Sequence, residues 1–233
     1  MSFHASTLWL IPARGGSKGI PDKNIKPFCG ESLTSRAIKL AKELAGDDDL
    51  IYVSTDSLRI KEEAENLGVY IPFMRPEILA SDSASTYSVI LDTLLKFKDK
   101  GIEFEKVVLL QPTSPFRERK DIEDALKLWR RDIDMVVSVV KASENPYYNL
   151  FEENKEGFLK ISKGEGNFTR RQDAPVVWEY NGAIYIMSAT SLLKGPMSEF
   201  KKILPYEMPA WKSIDLDTPD DWDIAEILFE RRR

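Results

Sequence analysis

Two stretches of the chain carry residue types that could do chemistry together. Ile11 to Asn24 reads IPARGGSKGIPDKN, and Ser213 to Asp217 reads SIDLD. The first sets Arg14, Lys18 and Lys23 around Gly15, Gly16 and Gly19. Glycines let backbone N–H groups approach an anion closely, arginine can grip two phosphate oxygens at once, and lysine acts as a point charge. The set suits phosphate, yet its spacing fits neither G-x-x-x-x-G-K-[ST] nor G-x-G-x-x-G. A solvated loop with glycines for turning is the plainer alternative. In SIDLD, residues two apart on an extended segment share a face, so Asp215 and Asp217 offer two hard oxygen ligands side by side. Such a pair is what Mg²⁺ on a triphosphate requires, although Asp217 or Thr218 could simply cap the next helix.

Further candidates lie between these ends. RPEILASDSAST (75–86) holds Arg75, Ser81, Asp82, Ser85 and Thr86, which could read a base edge, or of which Ser85 or Asp82 could cap a helix. VSTDS (53–57) reads as a helix cap after Asp56, and QPTSPFR (111–117) puts Gln111, Thr113 and Ser114 on a proline-fixed turn suited to sugar hydroxyls. NFTRRQDAP (167–175) sets Arg170 beside Arg171, either a carboxylate clamp or a solvated pair. Trp178, Tyr180 and Tyr185 read as core or interface aromatics.

Composition narrows the chemistry. With 233 residues, 42% hydrophobic and 30% charged, the chain suits one globular core with a small appendage. A net charge of −5 argues against a nucleic-acid binder. His4 is the only histidine, which excludes Ser-His-Asp triads, Cys-His pairs and multi-histidine zinc sites and leaves proton transfer to carboxylates, lysines or tyrosines. Cys29 stands alone, no apolar run reaches membrane-spanning length, and the N-terminus lacks a basic segment and cleavage site, so a cytoplasmic protein is expected.

The elements that must position these residues alternate. Strands are expected at 7–12, 50–55, 69–73, 106–111 and 134–140, and helices at 32–45, 57–67, 86–99 and 120–131. This rhythm predicts an α/β fold, a mostly parallel sheet covered by helices on both faces, with ligands beyond the carboxyl ends of its strands. ARGGSKG, STDS and QPTSPFR each follow a predicted strand directly. The rhythm breaks at 142–180, a polar, aromatic, Gly-punctuated stretch read as an inserted arm, either a lid or an oligomerisation element. NGAIYIM (181–187) returns to the sheet, and TPDDWDIAEILFERRR closes the chain as a capped helix. The core is thus 1–141 with 181–233, and the arm 142–180.

Taken in order, IPARGGSKGIPDKN, VSTD, RPEILASDSAS, LLQPTSPFR, RQDAP, NGAIYI and SIDLDTPDD resemble the bacterial CMP-sialic acid synthetases, the N-acylneuraminate cytidylyltransferases. The resemblance implies a Rossmann-like nucleotidyltransferase fold whose arm swaps across a homodimer. It also implies a reaction of CTP with a nine-carbon 2-keto sugar acid, aided by Mg²⁺ or another divalent ion such as Mn²⁺. By the same resemblance Arg14, Gly15, Ser17, Lys23 and Asn24 would hold the triphosphate and ribose. Arg75, Ser81 and Thr86 would face cytosine, and Gln111, Arg170, Asn181 and Tyr185 the sugar. Asp215 and Asp217 would hold the metal, with Arg14, Lys23 and Asp217 acting in catalysis. NPYYNL and EGNFTRRQDAP resemble members that activate legionaminic or pseudaminic acid, so those sugars stand beside N-acetylneuraminate. The rival readings are a metal-dependent glycosyltransferase using a nucleotide sugar and a non-catalytic nucleotide-binding protein.

Overall fold

The computed structural model describes residues 3–232. In chain order the elements are β1 (Phe3–Pro12), β2 (Pro27–Phe28), β3 (Glu31–Ser32), α1 (Leu33–Leu44), β4 (Leu50–Ser54), α2 (Leu58–Asn66) and α3 (Thr86–Asp99). There follow β5 (Ile102–Leu109), α4 (Arg119–Lys127), β6 (Met135–Lys141), β7 (Phe151–Glu153), β8 (Leu159–Ile161), β9 (Trp178–Ser188), α5 (Ala189–Lys194), β10 (Ile203–Glu207) and α6 (Pro219–Arg231). Among the described residues the main sheet has six strands in the order β10-β6-β9-β5-β1-β4. Pairs β1–β4, β1–β5 and β6–β10 are parallel, and β9 alone runs against its neighbours β5 and β6. The fold is α/β and mostly parallel, as the alternation predicts.

Local chemistry explains the boundaries. Leu8, Trp9, Leu10 and Ile11 are all buried, as a strand covered on both faces must be. Ser32 caps α1 by accepting from the Ser35 amide at 2.9 Å, and Leu33, Ala37, Ile38 and Ala41 supply its inward face. Ser85 caps α3 in the same way at 3.0 Å. Thr218 and Asp221 form a reciprocal capping box at α6, with Pro219 in its first turn. Helix α4 stops at Lys127, where the Leu128 and Trp129 amides tighten onto carbonyls three residues back.

One expected strand is absent. Residues 69–73 pair with no strand, although Val69 and Ile71 are buried. Pro72 has no N–H to give to a ladder, and Tyr70 turns outward. The Phe73 carbonyl instead accepts the Tyr52 hydroxyl at 2.9 Å, while the Phe73 ring packs on Tyr52 and Phe97. The segment is held by side chains rather than by sheet.

The sheet gathers the polar loops at one end. Because five strands run the same way, the segments after β1, β4, β5, β6 and β10 all leave from the same edge. Strands β6 and β9 make a wide hairpin whose connection, 142–177, holds the small β7–β8 ribbon. β9 already opens at Trp178, paired with Lys141, ahead of the expected return at Asn181. A second apolar cluster sits beside the main core: Ile20, Phe28, Leu33, Phe116, Leu216, Trp222 and Ala225. It pins the loops after β1 and β5 and the 213–217 segment to α6.

Candidate active site

The opening loop is fixed from several sides before any ligand binds. The Gly15 amide donates to Asp56 Oδ1 at 2.8 Å. Gly15 was expected to offer that N–H to a nucleotide. The turn after the neighbouring parallel strand β4 brings a carboxylate to it first. Asp56, in the stretch read as a helix cap, serves as this anchor, and Ser57 takes the N-cap position of α2. A Cβ on Gly15 would lie 2.8 Å from Ser57 Cβ, and one on Gly19 would lie 2.1 Å from the Asp217 carbonyl oxygen; Gly16 has open space. Asn24 Nδ2 donates to the Arg14 carbonyl at 2.9 Å, and Lys23 Nζ donates to the Leu216 carbonyl at 2.5 Å and to Asp217 Oδ1 at 3.1 Å. Lys23 thus ties the first loop of the chain to its last acidic segment, across 193 residues.

In that last segment, buried Leu216 points into the second apolar cluster. Its neighbours Asp215 and Asp217 both line the cleft, as the alternation of an extended segment requires. Burial pushes the Asp215 carboxyl above its ordinary range, and Asp217 adds to this; a hydrogen bond from Thr113 and the charge of Lys23 pull the other way. Asp217 is 73% exposed at its side chain. The turn 111–117 that supplies Thr113 is built on Arg117, whose Nη1 donates to the carbonyls of Gln111, Ser114 and Ala183. Burial lowers this guanidinium to about 9. Arg117 closes QPTSPFR, yet nothing in the sequence separated it from a solvated arginine.

The resulting cleft, about 380 Å³, is lined by Arg14, Ser17, Lys23, Asn24, Arg75, Ser81, Asp82, Thr86, Gln111, Thr113, Asp215 and Asp217, with apolar Pro12, Leu79, Ala84, Pro112 and Val89 between them. Arg75 is buried and held by Ser54, through Nε to Oγ at 3.0 Å and Nη2 to the carbonyl at 2.6 Å; burial lowers it to about 10. Ser81 donates to the Ile78 carbonyl at 2.8 Å. Asp82, one of the two expected caps, instead bridges Arg14 at 2.8 Å and Lys18 at 2.5 Å, leaving the cap to Ser85.

A second cavity of about 330 Å³ adjoins the first, sharing Thr86 and Gln111 and adding Leu109, Tyr180, Tyr185, Met197, Ser198, Phe200 and Ile203. Burial pushes the Tyr185 phenol up to about 12. Asn181 lines neither cavity: its Oδ1 accepts from Ser138 at 2.5 Å and its Nδ2 donates to Ser213 at 2.9 Å, so it ties β9 and β6 to the acidic segment. Gly182, at φ +74°, lets the strand pass Gln111 and Ser114, which a Cβ would meet at 3.1 and 3.3 Å. Arg170 stays on the arm, gripping Asp173 at 2.8 and 3.0 Å, and lines neither cavity within one chain.

The donor set suits one kind of metal. No group of three or more His, Cys, Asp or Glu side chains stands together among the described residues, so an ion here has the two carboxylates of Asp215 and Asp217. Mg²⁺ is usually held by one or two carboxylates with the rest of its shell from phosphates and water, and a carboxylate whose charge is disfavoured by partial desolvation is suited to a cation.

Comparison with known proteins bears on this cleft. The family described as Cytidylyltransferase matches residues 8–218. A Legionella pneumophila protein named CMP-N,N'-diacetyllegionaminic acid synthase is 32% identical over 224 residues, covering 96% of each chain. A Streptococcus agalactiae N-acylneuraminate cytidylyltransferase is 34% identical over 95% of this chain and 53% of its own length, so the chain spans about half of that relative. A solved structure titled CMP:2-keto-3-deoxy-manno-octonic acid synthetase complexed with CTP matches with a TM-score of 0.72 over 98% of this chain and all of that one. At 18% identity that match concerns the fold.

Proposed function

Because this chain belongs to the cytidylyltransferase family, we propose that it activates a nonulosonic sugar acid with CTP, giving the CMP-sugar and pyrophosphate. The chain is a nucleotidyltransferase. The observation that carries the reading is the single cleft in which Arg14, Lys23 and Asn24 of the first loop face Asp215 and Asp217 of the last segment, with Arg75, Thr86 and Gln111 between them. A transferase consuming a nucleotide sugar has less use for the cationic loop, and a mere nucleotide binder less use for the paired carboxylates.

The sugar's anomeric hydroxyl attacks the α-phosphorus in line; the bond to the β-phosphate oxygen breaks, and pyrophosphate leaves. Catalysis of this kind is mainly positioning and charge stabilisation. Arg14 and Lys23 neutralise the departing pyrophosphate, with Ser17 beside them, and Asn24 meets the ribose. Arg75, Ser81 and Thr86 read cytosine. Gln111 and Tyr185 orient the sugar at the junction of the two cavities, and Asn181 holds that junction in shape. Asp217 takes the hydroxyl proton. Asp215 and Asp217 would hold Mg²⁺ or Mn²⁺, which supplies positive charge to the phosphate and acidifies a bound hydroxyl.

The second cavity presents carbon and aromatic surface with Thr86, Gln111, Ser198 and the two tyrosine phenols as its polar groups, which supports a sugar bearing acylamino substituents, N-acetylneuraminate or the legionaminate and pseudaminate type. Exposed Phe151, Phe158, Leu159 and Val176 on the arm support a homodimer in which the arm, with Arg170, serves the partner's site. No helix among the described residues is long and apolar enough to cross a membrane. A cytoplasmic location follows from the use of CTP.

The deciding experiment is pyrophosphate release from CTP and Mg²⁺ with N-acetylneuraminic, legionaminic, pseudaminic and 3-deoxy-manno-octulosonic acids in parallel. Release with at least one nine-carbon acid is expected. Silence with all three nine-carbon acids overturns the reading.

A further inference from the structure

The cationic end of the cleft already holds an anion, and it is part of the chain. Asp82 sets Oδ1 against Arg14 at 2.8 Å and Oδ2 against Lys18 at 2.5 Å. Both cations belong to the opening loop, and Asp82 lines the same cleft as Lys23, Asp215 and Asp217. One carboxylate oxygen on each cation imitates two phosphate oxygens. Lys18 and Arg14 together hold the Asp82 carboxyl below its ordinary range, so the charge is complete at neutral pH. Arg14 keeps another anchor, its Nη1 to the Ala80 carbonyl at 3.2 Å, so Asp82 is not needed to keep the guanidinium over the cleft. The Asp82 side chain is 45% exposed and that of Lys18 is 84% exposed. Ion pairs this wet are weak and open readily.

We infer that Asp82 is an internal competitor of pyrophosphate. It occupies Arg14 and Lys18 while the cleft is empty, gives them up to the β- and γ-phosphates of bound nucleotide, and retakes them as pyrophosphate leaves. The inference rests on the functional reading above, since it needs a phosphate chain in this cleft. The physical consequence is a trade. A ligand must displace Asp82 and accept a like charge nearby, which weakens binding and hastens release.

The test is calorimetric titration of wild type, Asp82→Asn and Asp82→Glu with inorganic pyrophosphate and, separately, with cytidine. Asp82→Asn is expected to bind pyrophosphate about three- to tenfold tighter, the scale of losing two exposed ion pairs. Cytidine, which has no phosphate, should bind equally to all three proteins, and Asp82→Glu should stay near wild type. In turnover, Asp82→Asn should lower KM for CTP, lower kcat and be inhibited by less pyrophosphate. Unchanged or weaker pyrophosphate binding by Asp82→Asn overturns the inference; the weaker result would make Asp82 a residue that orients Arg14. Wild type that turns over CTP beside an unaltered Asp82→Asn removes this inference alone. Wild type that binds neither CTP nor pyrophosphate removes the functional reading and this with it.

Discussion

At Asp215 the proposed metal-holding role comes with a cost to the fold. The carboxylate lies in the cleft beside Asp217, partly desolvated by the surrounding protein, with Lys23 as the compensating charge, and its pKa is raised. A raised folded-state value means that the proton stabilises the fold. That contribution is complete below the ordinary aspartate range and is lost as pH rises through the folded value. Asp134 and Asp221 behave oppositely. Hydrogen bonds from Ser191 and Thr218 hold them low, so their contribution is present above the ordinary range and is lost as pH falls through their folded values. Without divalent cation, Asp215→Asn should therefore raise Tm near neutral pH only slightly, by no more than about 2 °C, because solvent screens much of the charge on a carboxylate this exposed. It should also remove the loss of stability that accompanies the rise of pH through the folded value of Asp215. The same change should cut turnover on the order of a hundredfold. Thermal melts across pH with and without Mg²⁺, beside steady-state rates, check both halves. A fall in Tm would show that Asp215 is held by favourable contacts.

At the scale of elements, the question is what sets the loops against one another. The second apolar cluster draws Ile20, Phe116 and Leu216 from three separate loops onto α6, and Gly19 then touches the Asp217 carbonyl. Side-chain packing and a single close approach therefore set the distance between the cationic loop and the carboxylates. Gly19→Ala should force them apart, because its Cβ would meet backbone that cannot rotate away; turnover is expected to fall at least about tenfold. Gly16→Ala, with open space around its Cβ, should keep rates within about twofold of wild type and CTP affinity unchanged. Parallel kinetics on the two variants decide the matter. Equal losses would mean that both glycines serve phosphate directly, and equal tolerance would mean that the Gly19 contact is soft.

For the whole molecule, the arm is the unexplained surface. It leaves the sheet between β6 and β9, covers little of its own apolar surface and carries Arg170 away from the cleft of its own chain. The partner subunit proposed above would account for both observations. Replacing Phe158 and Leu159 together by serine should turn a dimer into a monomer in sedimentation, with weak CTP binding retained. Mixing Arg170→Ala chains with Asp217→Asn chains should recover activity, since each mixed dimer then holds one intact composite site. The composite site is ruled out if tagged pull-down recovers mixed dimers that are as inactive as the parents.

The sequence by itself determined the sheet and the location of the cleft. Periodicity is a local property, so β1, α1, β4, α2, α3 and β6 could be read from it, and polar stretches directly after strands had to fall at one edge of a parallel sheet. Residue type and two-residue spacing likewise put Asp215 and Asp217 on one face. The failures are instructive. Residues 69–73 have a strand's composition, but ladder formation needs donors and a partner, and Pro72 breaks the row. Asp56 and Asp82 have the residue type of helix caps, and only the proximity of distant loops turned them to the Gly15 amide and to Arg14 and Lys18. Arg117 became the frame of its turn, and Asn181 a tie to Ser213, through carbonyls and hydroxyls far away in sequence. Chain order determines which groups exist and which way a strand presents them. Which of them are already paired when a ligand arrives is decided by long-range packing, because a hydrogen bond or an ion pair depends on distance in space.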